Sequence, residues 1–184
     1  TQELFYRTGG LAIINPVTAP GLTLDARPVT LTTEIERLSG YGRIIADRLN
    51  LKENDVLIIH SVSGINNVTV DMALRAHELR AKVIVITNMD YSSKVKSRHH
   101  SGKRLFELAD LVLDNCGVYG DAAVAIEGMQ LRAGPTSTVI GAAIMNAVVV
   151  ESAALFIEKG IIPPVFMSSN MEGGDEYNAR ILEK

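Results

Sequence analysis

The sequence predicts an α/β fold of three αβα layers, a parallel sheet flanked by helices. Three observations carry this. Apolar runs at residues 56–60 and 83–87 each end in small polar residues, with a stretch of helical periodicity between them, the pattern of a βαβ unit. The second run is nearly all β-branched, as befits a parallel strand covered on both faces. Strand-like and helix-like segments then alternate along the chain, and such alternation places helices on both faces of a parallel sheet.

In chain order, Thr1–Gly10 reads as the end of a helix stopped by Gly9-Gly10, and Leu11–Asn15 as a short strand closed by Pro16. Residues 16–32, rich in Pro, Gly and Thr, form an irregular connection. Thr33-Glu34-Ile35-Glu36 fits a capping box. Ile35, Leu38, Ile44, Ile45 and Leu49 repeat on one face of the helix it opens, which Gly40 and Gly42 weaken. A buried strand at 56–60 leads to a helix over 66–80 with Val70, Ala73, Leu74 and Leu79 inward. After the strand at 83–87 come a polar loop at 89–102, a helix at 103–109, a strand at 111–113, a loop at 115–122 and a short strand at 124–126. Pro135 and Thr136 open a long helix ending at Gly160, Pro163-Pro164 breaks the chain, and Met167–Gly174 is polar and glycine-rich. No linker or repeat divides the chain, so residues 1–184 are expected to form one domain.

Composition narrows the function. With 184 residues, 47% of them hydrophobic, the chain can bury a full core. A net charge of −3 argues against nucleic acid as a partner, since a phosphate backbone needs a concentrated positive face. One cysteine, Cys116, excludes an internal disulfide and suits the reducing cytoplasm. The four histidines lack metal-ligand spacing and no nucleotide fingerprint is present, so neither metal nor cofactor is expected. Residues 136–159 are apolar nearly all round, interrupted by Asn146, Glu151 and Ser152. The uninterrupted run is too short for a bilayer span, and a helix apolar on every side is buried in a core or a subunit interface. A homodimer or homotetramer with no membrane contact is expected.

The strand tips carry the chemistry. Ser61, Ser63 and the amides near Gly64 stand where an open α/β sheet binds its ligand, and hydroxyls with helix N-terminal amides suit a phosphate. The alternative is that these serines only cap a turn. Thr87, Asn88, Ser92 and Ser93, from the neighbouring strand end, complete the rim; the alternative for Ser92 and Ser93 is to form turns. His99 and His100 lie among Lys94, Lys96, Arg98, Lys103 and Arg104, with no acidic residue between Asp90 and Glu107. Such a loop either attracts and covers an anion or is a solvated face. His60, ending a strand, reads as a core histidine turned away from Ser61.

Ser61-Val-Ser-Gly64, Thr87-Asn88 and the Glu127 to Thr138 segment with its Pro-Thr-Ser-Thr helix opening resemble the sugar isomerase (SIS) domain family. With Ser97-Arg-His-His-Ser-Gly-Lys103 and the Gly-Gly-Asp-Glu-Tyr-Asn tail, the chain is most similar to small bacterial SIS proteins commonly labelled phosphoheptose isomerases. Asn66 stands where that family usually has Thr, and its amide can still contact a phosphate oxygen; the usual Gly before the second strand is missing. The resemblance implies a flavodoxin-like sheet. It also implies a further first strand with a Gly-x-Gly-x-Ser-like loop ahead of residue 1, so the domain is expected to be incomplete at its N-terminus.

The resemblance further implies a phosphorylated sugar as ligand and aldose–ketose isomerisation through an enediol. Glu127, at an element end, is the expected base. Its alternative is a carboxylate capping the helix that starts at 135–137. Glu151, in an apolar helix, is either a second acid/base group or the partner of a cation across an interface. His99 and His100 are further catalytic candidates. The other functions open to the same pocket are a non-catalytic sugar-phosphate sensor and an etherase or lyase acting on an amino-sugar phosphate.

Overall fold

The computed structural model describes residues 3–183, which pack as two units. One comprises residues 18–141; the other joins the chain up to residue 17 with the chain from 142 onward.

The 18–141 unit holds α1 (Leu31–Ile35), α2 (Tyr41–Arg48), β1 (Val56–His60), α3 (Asn67–Glu78), β2 (Lys82–Thr87), the single turn α4 (Met89–Ser92) and a 3-10 turn at Leu105–Leu108. β3 (Leu111–Asp114), β4 (Ala122–Val124) and β5 (Ala133–Pro135) follow. β1, β2 and β3 form a parallel sheet in that order, in the register Ile58–Ile84–Leu111. The expected α/β class with helices flanking a parallel sheet is therefore what the chain adopts. Leu57, Ile59, Val83 and Val85 are buried on one sheet face, and α3 contributes Val68, Val70, Met72, Ala73 and Ala76 to the same core.

Local patterning fails where tertiary contacts decide. The helix expected from Thr33 to Leu49 is two helices, because Gly40 turns left-handed at φ 82° between them. α1 already begins at Leu31, so Thr33 lies inside it and the capping box is not formed. β1 is not covered on both faces: Val56 and Ile58 are 52% and 40% exposed while Leu57 and Ile59 are buried, the alternation of a half-covered strand. His60 shares the open side, so it is not a core histidine. Its ring lies beside Gly141, where an added Cβ would fall 2.9 Å from Nδ1. Partial burial there pulls its pKa below the ordinary imidazole value, against an upward pull from Asp121. The helix expected at 103–109 shortens to the 3-10 turn, and the strand expected at 124–126 lies at 122–124, paired antiparallel with β5.

In the other unit, Glu3–Gly9 is a series of turns rather than a helix end; Thr1 and Gln2 lie outside the described residues. The strand expected at 11–15 reduces to one antiparallel bridge, Leu11 opposite Val165. Proline explains its shortness: Pro16 follows on one side and Pro163-Pro164, lacking N–H donors, precede the partner. α6 (Gly174–Leu182) occupies the tail, where Asn178 bridges Met167 by donating to its carbonyl (2.8 Å) and accepting from its amide (3.0 Å). α5 (Ser137–Glu158), the expected long helix, runs across the boundary between the units. Met145 and Val149 on it are buried, but Val139, Val150 and Ile157 are 60–68% exposed.

Candidate functional site

The turn from β1 into α3 is built so that its backbone oxygens are occupied. Ser61 N–H donates to Ile86 O (3.0 Å), extending the sheet by one bond. Gly64 then takes φ +61°, a left-handed conformation that a side chain disfavours, and its Cβ position lies 3.1 Å from Leu105 Cβ. Thr87 Oγ1 and Asn88 N donate to Val62 O at 3.0 and 3.2 Å. Leu105 N donates to Gly64 O (2.8 Å), and Arg98 N to Ile65 O (3.0 Å). Ser61 Oγ accepts from Gly64 N at 3.3 Å, so its hydroxyl hydrogen is left to give. Among the described hydrogen bonds none uses the Ser63 hydroxyl or the amides of Ile65, Asn66 or Asn67. Carbonyls tied and amides open is the polarity of an anion site at the start of a helix.

Ser61, Ser63 and Asn66 are half-buried, and Gly64 is buried beneath them. Thr87, Asn88 and Ser92 lie deeper, at 0%, 1% and 0% exposure. Their polar atoms are used within the protein. Thr87 holds Val62; Asn88 Oδ1 caps α4 at Tyr91 N (2.8 Å) while Nδ2 reaches Val118 O (3.1 Å); Ser92 Oγ donates to Asn88 O (2.8 Å). These residues brace the turn from behind.

The loop at 97–105 lies on this turn through the Arg98 and Leu105 amides. His99 anchors it. Its side chain has no exposed surface, and Nε2 sits 3.0 Å from Asp71 Oδ1 on α3. Ser101 N donates to Nδ1 (3.1 Å), so the proton resides on Nε2 and is donated to Asp71. Asp71 Oδ2 accepts from Gly40 N (2.7 Å), tying the entry of α2 to the same carboxylate. His100 stacks on His99 with ring centroids 4.0 Å apart and is exposed. Arg98 is exposed too, and its Nη1 donates to Asn66 Oδ1 (2.8 Å). The sequence reading did not single out Asp71 or give Arg98 a place of its own. Asn115, just past β3, is a further omission: it is 4% exposed, and its Nδ2 has no partner among the described residues.

Glu127 lies on the exposed connection between β4 and β5, in the tight turn that Met129 N closes on Ile126 O (3.1 Å). Asp121, not Glu127, caps α5. It accepts from Thr136 N (3.1 Å), Ser137 N (2.8 Å) and Ser137 Oγ (2.6 Å). Burial pushes the Asp121 carboxyl pKa up, but these hydrogen bonds outweigh it and leave the group below its ordinary value. The cap therefore stabilises the fold above the unfolded carboxylate pKa of about 3.9 and is lost as pH falls through the lower folded value. Asp121→Ala is expected to cost about 1 kcal/mol near neutrality. Its melting-temperature deficit against the parent should shrink in acid; a deficit equal at neutral and acidic pH would contradict the cap. Glu151 is exposed on the part of α5 that belongs to the other unit. A small hollow in that unit is lined by residues including Tyr6, Arg7, Phe166 and Asn178 and holds none of the strand-tip residues.

The SIS domain family profile matches residues 1–88, which include the whole β1–turn–α3–β2 segment. UPF0309 protein ABC0887 of Shouchella clausii is 48% identical over 183 residues, covering 100% of this chain and 74% of that protein. UPF0309 protein OB3413 of Oceanobacillus iheyensis is 47% identical with the same coverage. UPF0309 protein SCO4393 of Streptomyces coelicolor is 41% identical over 184 residues, covering 100% of this chain and 73% of that protein. With this identity along its whole length and the SIS match over the strand-tip turn, the chain belongs to the UPF0309 family of SIS-domain proteins.

Proposed function

We propose that the chain binds a phosphorylated sugar at the turn joining β1 to α3 and interconverts its aldose and ketose forms. The observation behind this is the polarity of the turn: protein donors take the carbonyls of Val62, Gly64 and Ile65, while the Ser63 hydroxyl and the amides of Ile65, Asn66 and Asn67 have no protein partner among the described bonds. The SIS domain supplies the ligand class, phosphorylated sugar derivatives. In this reading Ser61, Ser63, Gly64 and Asn66 meet the phosphate, and Thr87, Asn88 and Ser92 hold the turn in shape. Isomerisation also needs a group that moves a proton between adjacent carbons. Glu127, Glu151 and His100 are exposed candidates, whereas His99, fully buried on Asp71, acts by placing the loop.

The test is a thermal-shift panel of phosphorylated sugars against their unphosphorylated forms. A phosphosugar at a hundred times its Kd should add about 2.7 kcal/mol, or roughly 5–11 °C for a chain of this size. Equal responses to a sugar and its phosphate, or none to either, reject the site. Isomer formation is then assayed with the parent and with Glu127→Gln, which in an enzyme keeps the shift and loses turnover. A non-catalytic sensor is the second reading, favoured by the place of Glu127: it has no described bond to the strand tips. Binding without isomer formation by the parent identifies the sensor.

We also infer that a second copy covers the exposed apolar side of α5, making a homodimer or homotetramer. The helix has the length and composition of a bilayer span, but buried interface helices share both. A monomer across a wide concentration range in sedimentation would contradict the assembly.

A further inference from the structure

We infer that Arg98 is the phosphate-clamping cation of this site and determines its preference for phosphorylated over neutral sugars; this rests on the phosphosugar reading above. Backbone placement comes first. The amides of Arg98 and Leu105 bond to Ile65 O (3.0 Å) and Gly64 O (2.8 Å), so the loop lies directly on the candidate phosphate turn. Its internal bonds are dense: Ser97 Oγ donates to Lys103 O (2.7 Å) and accepts from His99 N (3.0 Å), and the buried His99–Asp71 contact fixes the loop to α3. Arg98 is therefore presented by a rigid support rather than by a mobile loop.

The side chain is available. Most arginines near α2, α3 and this loop are engaged by carboxylates: Arg43 with Glu78, Arg75 with Asp47 and Glu78, Arg80 with Glu53, Arg104 with Glu107. For Arg98 the described partner is neutral, the Asn66 amide oxygen at 2.8 Å, and no described carboxylate lies within ion-pair distance. Asn66 occupies the N-cap of α3, where its side chain would ordinarily accept from the helix amides, yet it makes no such bond. With Oδ1 on Arg98, the amides of Ile65, Asn66 and Asn67, which lead into a 12-residue helix, keep no described acceptor beside a guanidinium, while the Val68 amide is taken by Glu36 O (3.1 Å). A phosphate seated there meets amides and a planar fork that binds its oxygens in pairs. A neutral sugar gains little from either.

The experiment measures binding of inorganic phosphate and of glucose 6-phosphate, with glucose as the neutral control. The parent chain, Arg98→Ala, Arg98→Lys and Lys96→Ala are compared by calorimetry and thermal shift. Lys96 is exposed just before the loop, and its substitution removes the same charge with no described hydrogen bond to the turn. Arg98→Ala should weaken phosphate binding about tenfold or more, as expected for a charge-assisted hydrogen bond. Arg98→Lys should recover part of it, Lys96→Ala should change it little, and none should alter the unliganded melting temperature appreciably. Binding by Arg98→Ala equal to the parent overturns the role of Arg98 and leaves the site standing. An equal loss in Lys96→Ala overturns it as well, since the loop's general field would then account for the effect. If the parent binds neither phosphate compound, the phosphosugar reading fails and this inference fails with it.

Discussion

Replacing Asp71 with alanine is expected to lower the melting temperature by roughly 6–12 °C, the equivalent of about 3 kcal/mol in a chain of this size. The carboxylate is 9% exposed and serves two donors in different segments: His99 Nε2 at 3.0 Å and Gly40 N at 2.7 Å. Without it, a fully buried imidazole keeps an unmet N–H, because the Ser101 amide holds Nδ1 in the acceptor state. The Gly40 amide, at the left-handed entry to α2, loses its acceptor as well. An unmet buried donor costs far more than the net worth of the bond that satisfied it, which sets the magnitude. Asparagine is no remedy: its amide brings either a donor to His99 or a donor to Gly40. On the proposed phosphosugar reading, phosphate binding should weaken along with stability, since the loop carrying Arg98 loses its anchor. Thermal unfolding followed by circular dichroism decides the matter, and an Asp71→Ala chain melting within a degree of the parent would show that water replaces the carboxylate.

Gly42→Ala is expected to destabilise by about 2–3 kcal/mol, roughly 4–12 °C. The sign makes this informative. Helix propensity alone says that alanine inside α2 should gain about 1 kcal/mol over glycine. Packing opposes it. A Cβ at residue 42 would run into the Val68 carbonyl oxygen and lie 2.7 Å from Asp71 Cβ. The first obstacle is α3 backbone, which cannot turn aside as a side-chain end can. α2 would have to lift from α3, straining the exposed Arg43–Glu78 and Arg75–Asp47 pairs across the crossing and the Gly40–Asp71 bond beside it. The two substitutions should therefore combine non-additively. A melting temperature at or above the parent's for Gly42→Ala would show that the helices separate freely.

What the sequence reveals here is what neighbouring residues decide. β2, nearly all β-branched, the Ser61-Val-Ser-Gly64 turn between strand and helix, and the Pro-Thr-Ser opening of α5 are each written in consecutive residues, and each stands close to where periodicity places it. Pairings across distance are not written this way. Asp71 and His99 are 28 positions apart, and neither residue alone signals the other. The cap of α5 comes from Asp121, 16 residues before Ser137, while Glu127 lies nearer in sequence and looks as suitable. Glycines are half-legible. Gly40 and Gly42 are read correctly as unfavourable in a helix, but only the fold shows that one makes the left-handed entry to α2 and the other lets α3 come close. At the candidate site, the turn that carries Ser61 and Ser63 follows from local pattern. Thr87, Asn88 and Ser92 carry the right chemistry at the right strand end, yet lie beneath the turn because their polar groups find protein partners first.

The two amides that fasten the 97–105 loop to the turn also act as its gauge. Arg98 N–H and Leu105 N–H are shielded from solvent exchange only while that attachment is closed. Deuterium uptake at these two positions therefore counts how often the clasp releases, separately from global unfolding. An occupant of the turn would slow both together, while the far side of α3 kept its own pace.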